Sequence, residues 1–226
     1  MMTDIRVRFN KTGRIKYISH LDMYRTFIRA IRRTDIPVWY TEGFNPHVYL
    51  NFVLPVPLGC ESINDAFDMR ITEDYPLEKI PAEMNKYLPE GLECTAATLL
   101  QDKAKNISSA KFELLYEKLP AKEILDILKN SKLTYTKIGK VNGRKAEKSV
   151  DISSNIFGYS IDTENNLQRL TIVMSAGNTI NINPFELATA LSDTYGTEIQ
   201  PILVKRTEMF TKNGKFSQKI EKKSKK

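Results

Sequence analysis

Along this chain the spacing of apolar residues switches between strand-like and helix-like in the same order twice, and that repetition constrains the fold more than any other feature. Ile5, Val7 and Phe9 alternate as a half-buried strand does. After the Lys11-Thr12-Gly13 turn, Ser19 is placed to cap a helix, with Asp22 three residues later in a capping-box arrangement. That helix is expected to run to about Arg33 and stop before Asp35-Ile36-Pro37. Short strands are predicted at 38–41 and 48–54, a longer one at 66–72, a helix at 77–87 and a strand at 92–99. Residues 101–109 are polar and read as a linker. The order then recurs: strand 111–117, helix 121–129, strand 133–138, a basic loop 139–149, and an antiparallel pair at 156–161 and 167–174. A helix follows, capped by Asn183 with Pro184 at its first position and ending near Gly196, and a strand at 199–210 closes the pattern. Each half thus reads β-α-β-β-α-β, the order of a ferredoxin-like sandwich. The expected fold class is α+β: tandem ferredoxin-like domains at 1–101 and 110–211, then a Lys-rich tail at 212–226 too poor in apolar residues to pack.

The formal net charge is +7, and its placement matters more than its size. Nine Lys or Arg against Asp4 and Asp22 give +7 within the first 33 residues, and seven Lys against Glu221 give +6 in the tail. The stretch between carries −6. Clustered positive charge suits a polyanion such as nucleic acid, although the tail reads equally as a solvated end that aids solubility. No apolar run near Met1 resembles a secretory signal and no stretch is long enough to span a bilayer, so the expected compartment is the cytoplasm. Cys60 and Cys94, 34 residues apart, match neither a zinc knuckle nor an iron–sulfur motif. Neither a cofactor nor a metal site is expected, and the thiols read as small buried hydrophobes.

Candidate site residues concentrate in the first fifty positions, where both histidines lie. On the first helix Arg25, Arg29, Arg32 and Arg33 fall opposite the apolar face, a ridge of guanidiniums whose planar forks fit phosphate oxygens. The alternative is a solvated face paired with carboxylates of the same chain. His20 falls at the first turn of that helix, either packing its ring and bonding a carbonyl or meeting an anion near the free N–H groups. In Gly43-Phe44-Asn45-Pro46-His47 the turn residues fix a loop, and Phe44 and His47 are planar groups able to stack on bases. Asp22, Glu61 and Asp68 are supporting carboxylates, the last two as possible orienters of a histidine.

Ile18-Ser19-His20-Leu21-Asp22 with its Arg-rich helix, Glu42-Gly43-Phe44-Asn45-Pro46-His47, and Leu58-Gly59-Cys60-Glu61-Ser62 together resemble the radical SAM-linked protein family, a bacterial domain of unknown function. The likeness is specific over residues 4–72, with Val48 where proline is usual and Asn51 where serine is common. It implies an accessory role beside a radical SAM protein, in RNA or ribosome biology. A weaker likeness is to CRISPR repeat-processing endoribonucleases, which pair two ferredoxin-like halves and use an early histidine. Their C-terminal glycine-rich loop is missing here, since only Gly196 and Gly214 follow Gly177.

Three functions follow as expectations. The favoured one is a binding module for RNA or a ribosomal particle, acting with a separate radical SAM protein and without an activity of its own. The second is a metal-independent endoribonuclease in which His20 and His47 serve as base and acid. The third is a protein–protein scaffold that docks its basic ridge on an acidic surface.

Overall fold

The computed structural model describes residues 2–141, 144–177 and 180–216. The chain divides into two compact units, one containing the residues up to Ile107 together with those from Thr207 onward, the other Ser108–Arg206.

In the first unit the elements are β1 (Thr3–Lys11), α1 (His20–Ile31), β2 (Leu50–Phe52), β3 (Glu61–Ile71), α2 (Ile80–Asn85) and β4 (Leu92–Leu99). Strand β1 lies between β4 and β3 and pairs antiparallel with both, and β2 pairs antiparallel with β3 on its other side. Alternation decides which face is dry. Ile5, Val7 and Phe9 of β1 are buried together with Phe67 and Met69 of β3, Leu50 and Phe52 of β2, and Met23, Phe27 and Ile31 of α1. Phe9, Phe27, Phe52 and Phe67 form a mutual cluster, Phe9–Phe27 edge-on at 5.0 Å and Phe27–Phe67 at 4.9 Å. Edge and tilted contacts of this kind suit the charge distribution of aromatic rings.

The other face of β1 and β3 carries charge. Arg6 and Asp68 sit directly opposite each other in register, with Nε to Oδ1 at 2.7 Å and Nη2 to Oδ2 at 3.0 Å. The Arg6 guanidinium also donates to the Asp102 carbonyl and lies 4.4 Å from the ring centroid of Phe216. Towards the outer edge Arg70 pairs with Asp4 at 2.6 Å and stacks near Trp39 and Tyr49.

Gly91 ties β4 to the loop after β1: its carbonyl accepts the Thr12 N–H at 2.8 Å, and its φ of +87° lies in the left-handed region. A Cβ there would stand 2.4 Å from the Thr12 carbonyl oxygen. Gly91→Ala is therefore expected to cost more than the roughly 1–2 kcal/mol that left-handed backbone alone costs an L residue. Gly13→Ala, at φ +68° with open space around it, should cost that backbone component only. Urea unfolding midpoints of the two variants check the difference.

In the second unit the elements are β5 (Ile107–Tyr116), α3 (Ala121–Asn130), β6 (Thr134–Val141), β7 (Arg144–Asp151), β8 (Ile156–Glu164), β9 (Leu167–Ser175) and α4 (Pro184–Tyr195). Strand β9 pairs antiparallel with β5 and β8, burying Phe112, Leu114, Leu170 and Ile172. Helix α4 begins with a full capping box. Asn183 Oδ1 accepts the Phe185 N–H at 3.1 Å, and Glu186 Oε2 accepts the Asn183 N–H at 3.4 Å. It ends at Gly196, φ +83°. Strand β10 (Leu203–Thr211) crosses the boundary between the units, and its residues from Thr207 onward belong to the first unit with β11 (Gly214–Lys215).

Three differences from the sequence reading have physical causes. Of the stretch 139–149, expected as a basic loop, residues 139–141 and 144–149 belong to the antiparallel pair of β6 and β7, a two-stranded sheet of its own, and 142–143 lie outside the described residues. The helix expected over 77–87 is a 3₁₀ turn at 77–79 followed by one and a half turns of α-helix, with Pro81 in its first turn. The second domain, expected to reach 211, gives up the chain after Arg206. Thr207 to Phe216 go with the first unit, where Phe216 is buried against Arg6 and its N–H reaches the Met209 carbonyl. Of the tail expected at 212–226, residues 212–216 therefore include the β10–β11 turn, and 217–226 lie outside the described residues.

Candidate nucleic-acid interface

Helix α1 starts where the Ser19 hydroxyl accepts the Asp22 N–H at 3.1 Å and donates to the Asp22 carboxylate at 2.8 Å. That hydroxyl contact, followed by the Arg25 hydrogen bond and the charges of Arg25 and Arg29, holds the Asp22 carboxyl below its usual pKa. The apolar period of Met23, Phe27, Ile28, Ala30 and Ile31 faces the core, which leaves Arg25, Arg29, Arg32 and Arg33 exposed along the opposite side. Arg25 pairs with Asp22 at 3.2 Å, both side chains more than half exposed, an arrangement worth at most about 1 kcal/mol in water. Arg32 lies 5.9 Å from the ring centroid of Tyr40. Among the described residues, Arg29, Arg32 and Arg33 form no ion pair with a carboxylate.

The loop after α1 is closed at its base by residues on both sides. Tyr40 bridges Val48, the Thr41 N–H donates to the His47 carbonyl at 2.8 Å, and the His47 N–H donates to the Thr41 hydroxyl at 3.2 Å. The His47 ring folds back into this turn, with Nδ1 3.0 Å from Thr41 Oγ1 and 3.1 Å from the Asn45 carbonyl oxygen. A carbonyl only accepts, so in that contact Nδ1 is the donor, which makes Nε2 the acceptor nitrogen of the neutral ring. At the tip Gly43 takes φ +118°, and Phe44 is fully exposed, at 105% of its reference area. The turn thus holds an aromatic ring in water on an ordered base. Since Tyr40 opens that base and receives Arg32, the arginine ridge and the aromatic loop meet at their near ends.

His20 is exposed, and its ring packs edge-on against Phe52 at 5.2 Å. The two carboxylates expected to orient a histidine do something else. Both oxygens of Asp68 are taken by Arg6, and Glu61 Oε1 accepts the Gly13 N–H at 2.8 Å, fixing the 3₁₀ turn that leads into α1. Direct charge opposition in the β1–β3 register decides the first case, since a buried guanidinium needs a partner more than an exposed imidazole does. Tyr40 and Thr41 are contributors that the sequence reading passed over; the signal available was their position flanking the turn residues, where hairpin-like closure places paired groups.

No group of His, Cys, Asp and Glu among the described residues could hold a metal ion. Cys60 and Cys94 are both buried, and burial pushes the Cys94 thiol up to about 12. Among the described residues no helix is long and apolar enough to cross a membrane.

Fold and site together define an α+β protein with a large, mostly antiparallel sheet, four α-helices among the described residues, and a basic first helix followed by an aromatic-tipped loop. The chain belongs to the DUF2344 family, described as an uncharacterized protein conserved in bacteria, which matches residues 4–184. No curated protein matches it. Among solved structures it is similar to a chain of the crystal structure of a Cbf5-Nop10-Gar1 complex, at 8% identity and a TM-score of 0.49. That match covers 91% of this chain and 48% of the other, so the chain spans about half the length of its structural match.

Proposed function

We propose that this chain is an RNA-binding module that holds structured RNA, or an RNA-bearing particle, through Arg25, Arg29, Arg32 and Arg33 and through the Phe44-Asn45-His47 loop. The observation that carries the reading is the junction of the two elements at Arg32 and Tyr40, which joins a row of exposed cations, three of them (Arg29, Arg32 and Arg33) without a carboxylate ion pair among the described residues, to an exposed aromatic tip. Phosphates suit the first and unstacked bases suit the second. In this reading each unit is a ferredoxin-like sandwich. The β4-β1-β3-β2 order with α1 and α2 as connections supports it for the first unit, and the β6–β7 hairpin is an insertion in the second. Any radical chemistry belongs to a separate radical SAM protein, the partner implied by the family resemblance.

The test is anisotropy of a labelled RNA hairpin titrated with the full chain at several salt concentrations. The Arg25→Ala/Arg29→Ala variant is expected to fold normally, because both side chains are exposed, and to lower the slope of log K against log salt by about 1.4 to 1.8 units, two phosphate contacts' worth. An unchanged slope and affinity would refute the interface.

A second reading, a metal-independent endoribonuclease, is favoured by the exposed His47 ring, whose Nδ1 contact to the Asn45 carbonyl makes Nε2 the acceptor nitrogen of the neutral ring, the atom that would take the proton of a 2′-hydroxyl. It expects RNA cleavage in the presence of a chelator, lost in both His47→Ala and His20→Ala. Intact RNA after prolonged incubation with the native chain would dispose of it.

A further inference from the structure

Trp39 is the only tryptophan of the chain, and the surface built from α1 and the Phe44 loop does not use it. Its neighbours Val38 and Tyr40 are held in antiparallel bridges to Ile71 and Val48. The segment is therefore extended, and successive side chains point to opposite faces. Val38 packs on the core beneath α1, and Tyr40 meets Arg32 of that helix. Trp39 turns to the other face of the sheet. There its ring centroid lies 5.0 Å from the Arg70 guanidinium and 5.8 Å from the ring of Tyr49. Tyr49 reaches the same face because Val48 and Leu50 on either side of it are buried in the core, and its ring lies 5.6 Å from the same guanidinium.

Asp4 holds that guanidinium along one edge. Nε donates to Oδ1 at 2.6 Å and Nη2 to Oδ2 at 3.2 Å. Among the described residues the Arg70 Nη1 and the Trp39 indole N–H have no hydrogen-bond partner. The cluster is open to water, with the Arg70 side chain 31% exposed and that of Asp4 40%. Trp39 and Tyr49 are half-buried, and Asn51, two residues beyond Tyr49 on β2, is exposed. Ion pairs this open, and cations over half-exposed rings, add little to folding. What the cluster does supply is two aromatic rings and a planar fork in fixed positions, with a free N–H edge turned outward. An antiparallel sheet covered by helices on one face can offer aromatic side chains of its other face to unstacked bases.

We propose that Trp39, Tyr49 and Arg70 form a second RNA subsite, which stacks an unpaired base on the two rings and takes its phosphate on the free edge of the guanidinium. Stacking tolerates any base, since each has a π-face, and the planar fork suits phosphate oxygens. The inference rests on the RNA-binding reading above and adds a path to it. Trp39 and Tyr40 are consecutive residues with side chains on opposite faces, so a strand leaving the arginine ridge at Tyr40 reaches Trp39 by rounding this one edge. A fully paired RNA keeps its bases stacked in the helix and has none to give. The subsite therefore selects a single-stranded extension next to the structured part.

The experiment reads the fluorescence of Trp39, the sole indole, in the full native chain. The chain is titrated with an RNA stem closed by a stable tetraloop and with the same stem carrying a short single-stranded uridine tail, and binding of each is followed in parallel by anisotropy. The tailed RNA is expected to quench the indole and to bind about fivefold or more tighter than the bare stem. The bare stem binds through the ridge and leaves the fluorescence as it was. Trp39→Leu, which keeps an apolar side chain and removes the planar face, is expected to lose the gain from the tail, whereas Trp39→Phe retains most of it. Tailed RNA that binds without quenching, or equal quenching by both RNAs, overturns the subsite. So does a Trp39→Leu protein that unfolds more easily yet binds the tailed RNA as the native chain does, because the cluster then only fastens the sheet edge. Uridine monophosphate alone at the same concentrations is expected to leave the indole unquenched, and quenching equal to that of the tailed RNA overturns a subsite joined to the ridge. The Arg25→Ala/Arg29→Ala variant separates the two ideas: weaker stem binding there, with no effect of the tail on the native chain, leaves the ridge standing and removes the subsite. A native chain that binds neither RNA overturns both.

Discussion

Asp68→Ala is expected to destabilise the protein by about 3–5 kcal/mol, because it strands a buried guanidinium. Arg6 is 1% exposed. Its Nε and one Nη2 contact go to Asp68, and with that carboxylate gone only the Asp102 carbonyl and the face of the Phe216 ring remain. A charge so placed can neither return to water nor find another anion without unfolding. Arg6→Ala should cost a comparable amount from the other side of the pair. The double variant Arg6→Met/Asp68→Leu is expected to recover most of the loss, since apolar residues of similar volume often replace a buried ion pair without penalty. Denaturant unfolding of the three variants measures the effect, and a loss below about 1 kcal/mol in Asp68→Ala would mean the pair is solvated. The same experiment carries a functional reading. If Asp68 holds Arg6 and no histidine, RNA affinity of the folded Asp68→Ala protein stays at the native value.

The parts of the fold that local sequence reports are those whose signals are local. Ser19, the apolar period through Ile31 and the four arginines define α1 to within two residues. Asn183, Pro184, Glu186 and Gly196 define α4 from cap to cap. Strand β4 falls on 92–99 because turn residues bound it on one side and a polar stretch on the other. What escapes is what depends on distant partners. The charged side of β1 is set by an Arg6–Asp68 contact across 62 residues, and spacing alone cannot tell such a partner from a histidine. The return of Thr207 to Phe216 to the first unit depends on the strand that receives β10. The β6–β7 ribbon escaped for another reason. Lys137, Gly139 and Val141 alternate with Ile138 and Lys140, so neither parity is apolar and no period of two emerges.

The loop tip offers the sharpest separation between a residue kept for stability and one kept for contact. Phe44 buries nothing in its own chain, so Phe44→Ala is expected to leave unfolding within about 0.5 kcal/mol of the native protein, as exposed substitutions do. If the ring stacks on an unpaired base, its removal forfeits about 1–3 kcal/mol of binding, a loss of roughly 5- to 150-fold in affinity. Phe44→Trp, with a larger face, should hold or raise that affinity. His47→Ala is expected to act differently. It removes the ring contacts to Thr41 and to the Asn45 carbonyl that shape the turn, so it weakens binding by loosening the presentation of Phe44, and a Phe44→Ala/His47→Ala protein should be little worse than Phe44→Ala alone. Non-additivity of that kind marks residues acting as one unit. The probe is an RNA hairpin with an unpaired loop, read by anisotropy beside the same stem closed by a stable tetraloop. Equal affinity of native and Phe44→Ala proteins for the open loop would place the ring outside the RNA contact, and would turn attention to a protein partner as the surface that receives it.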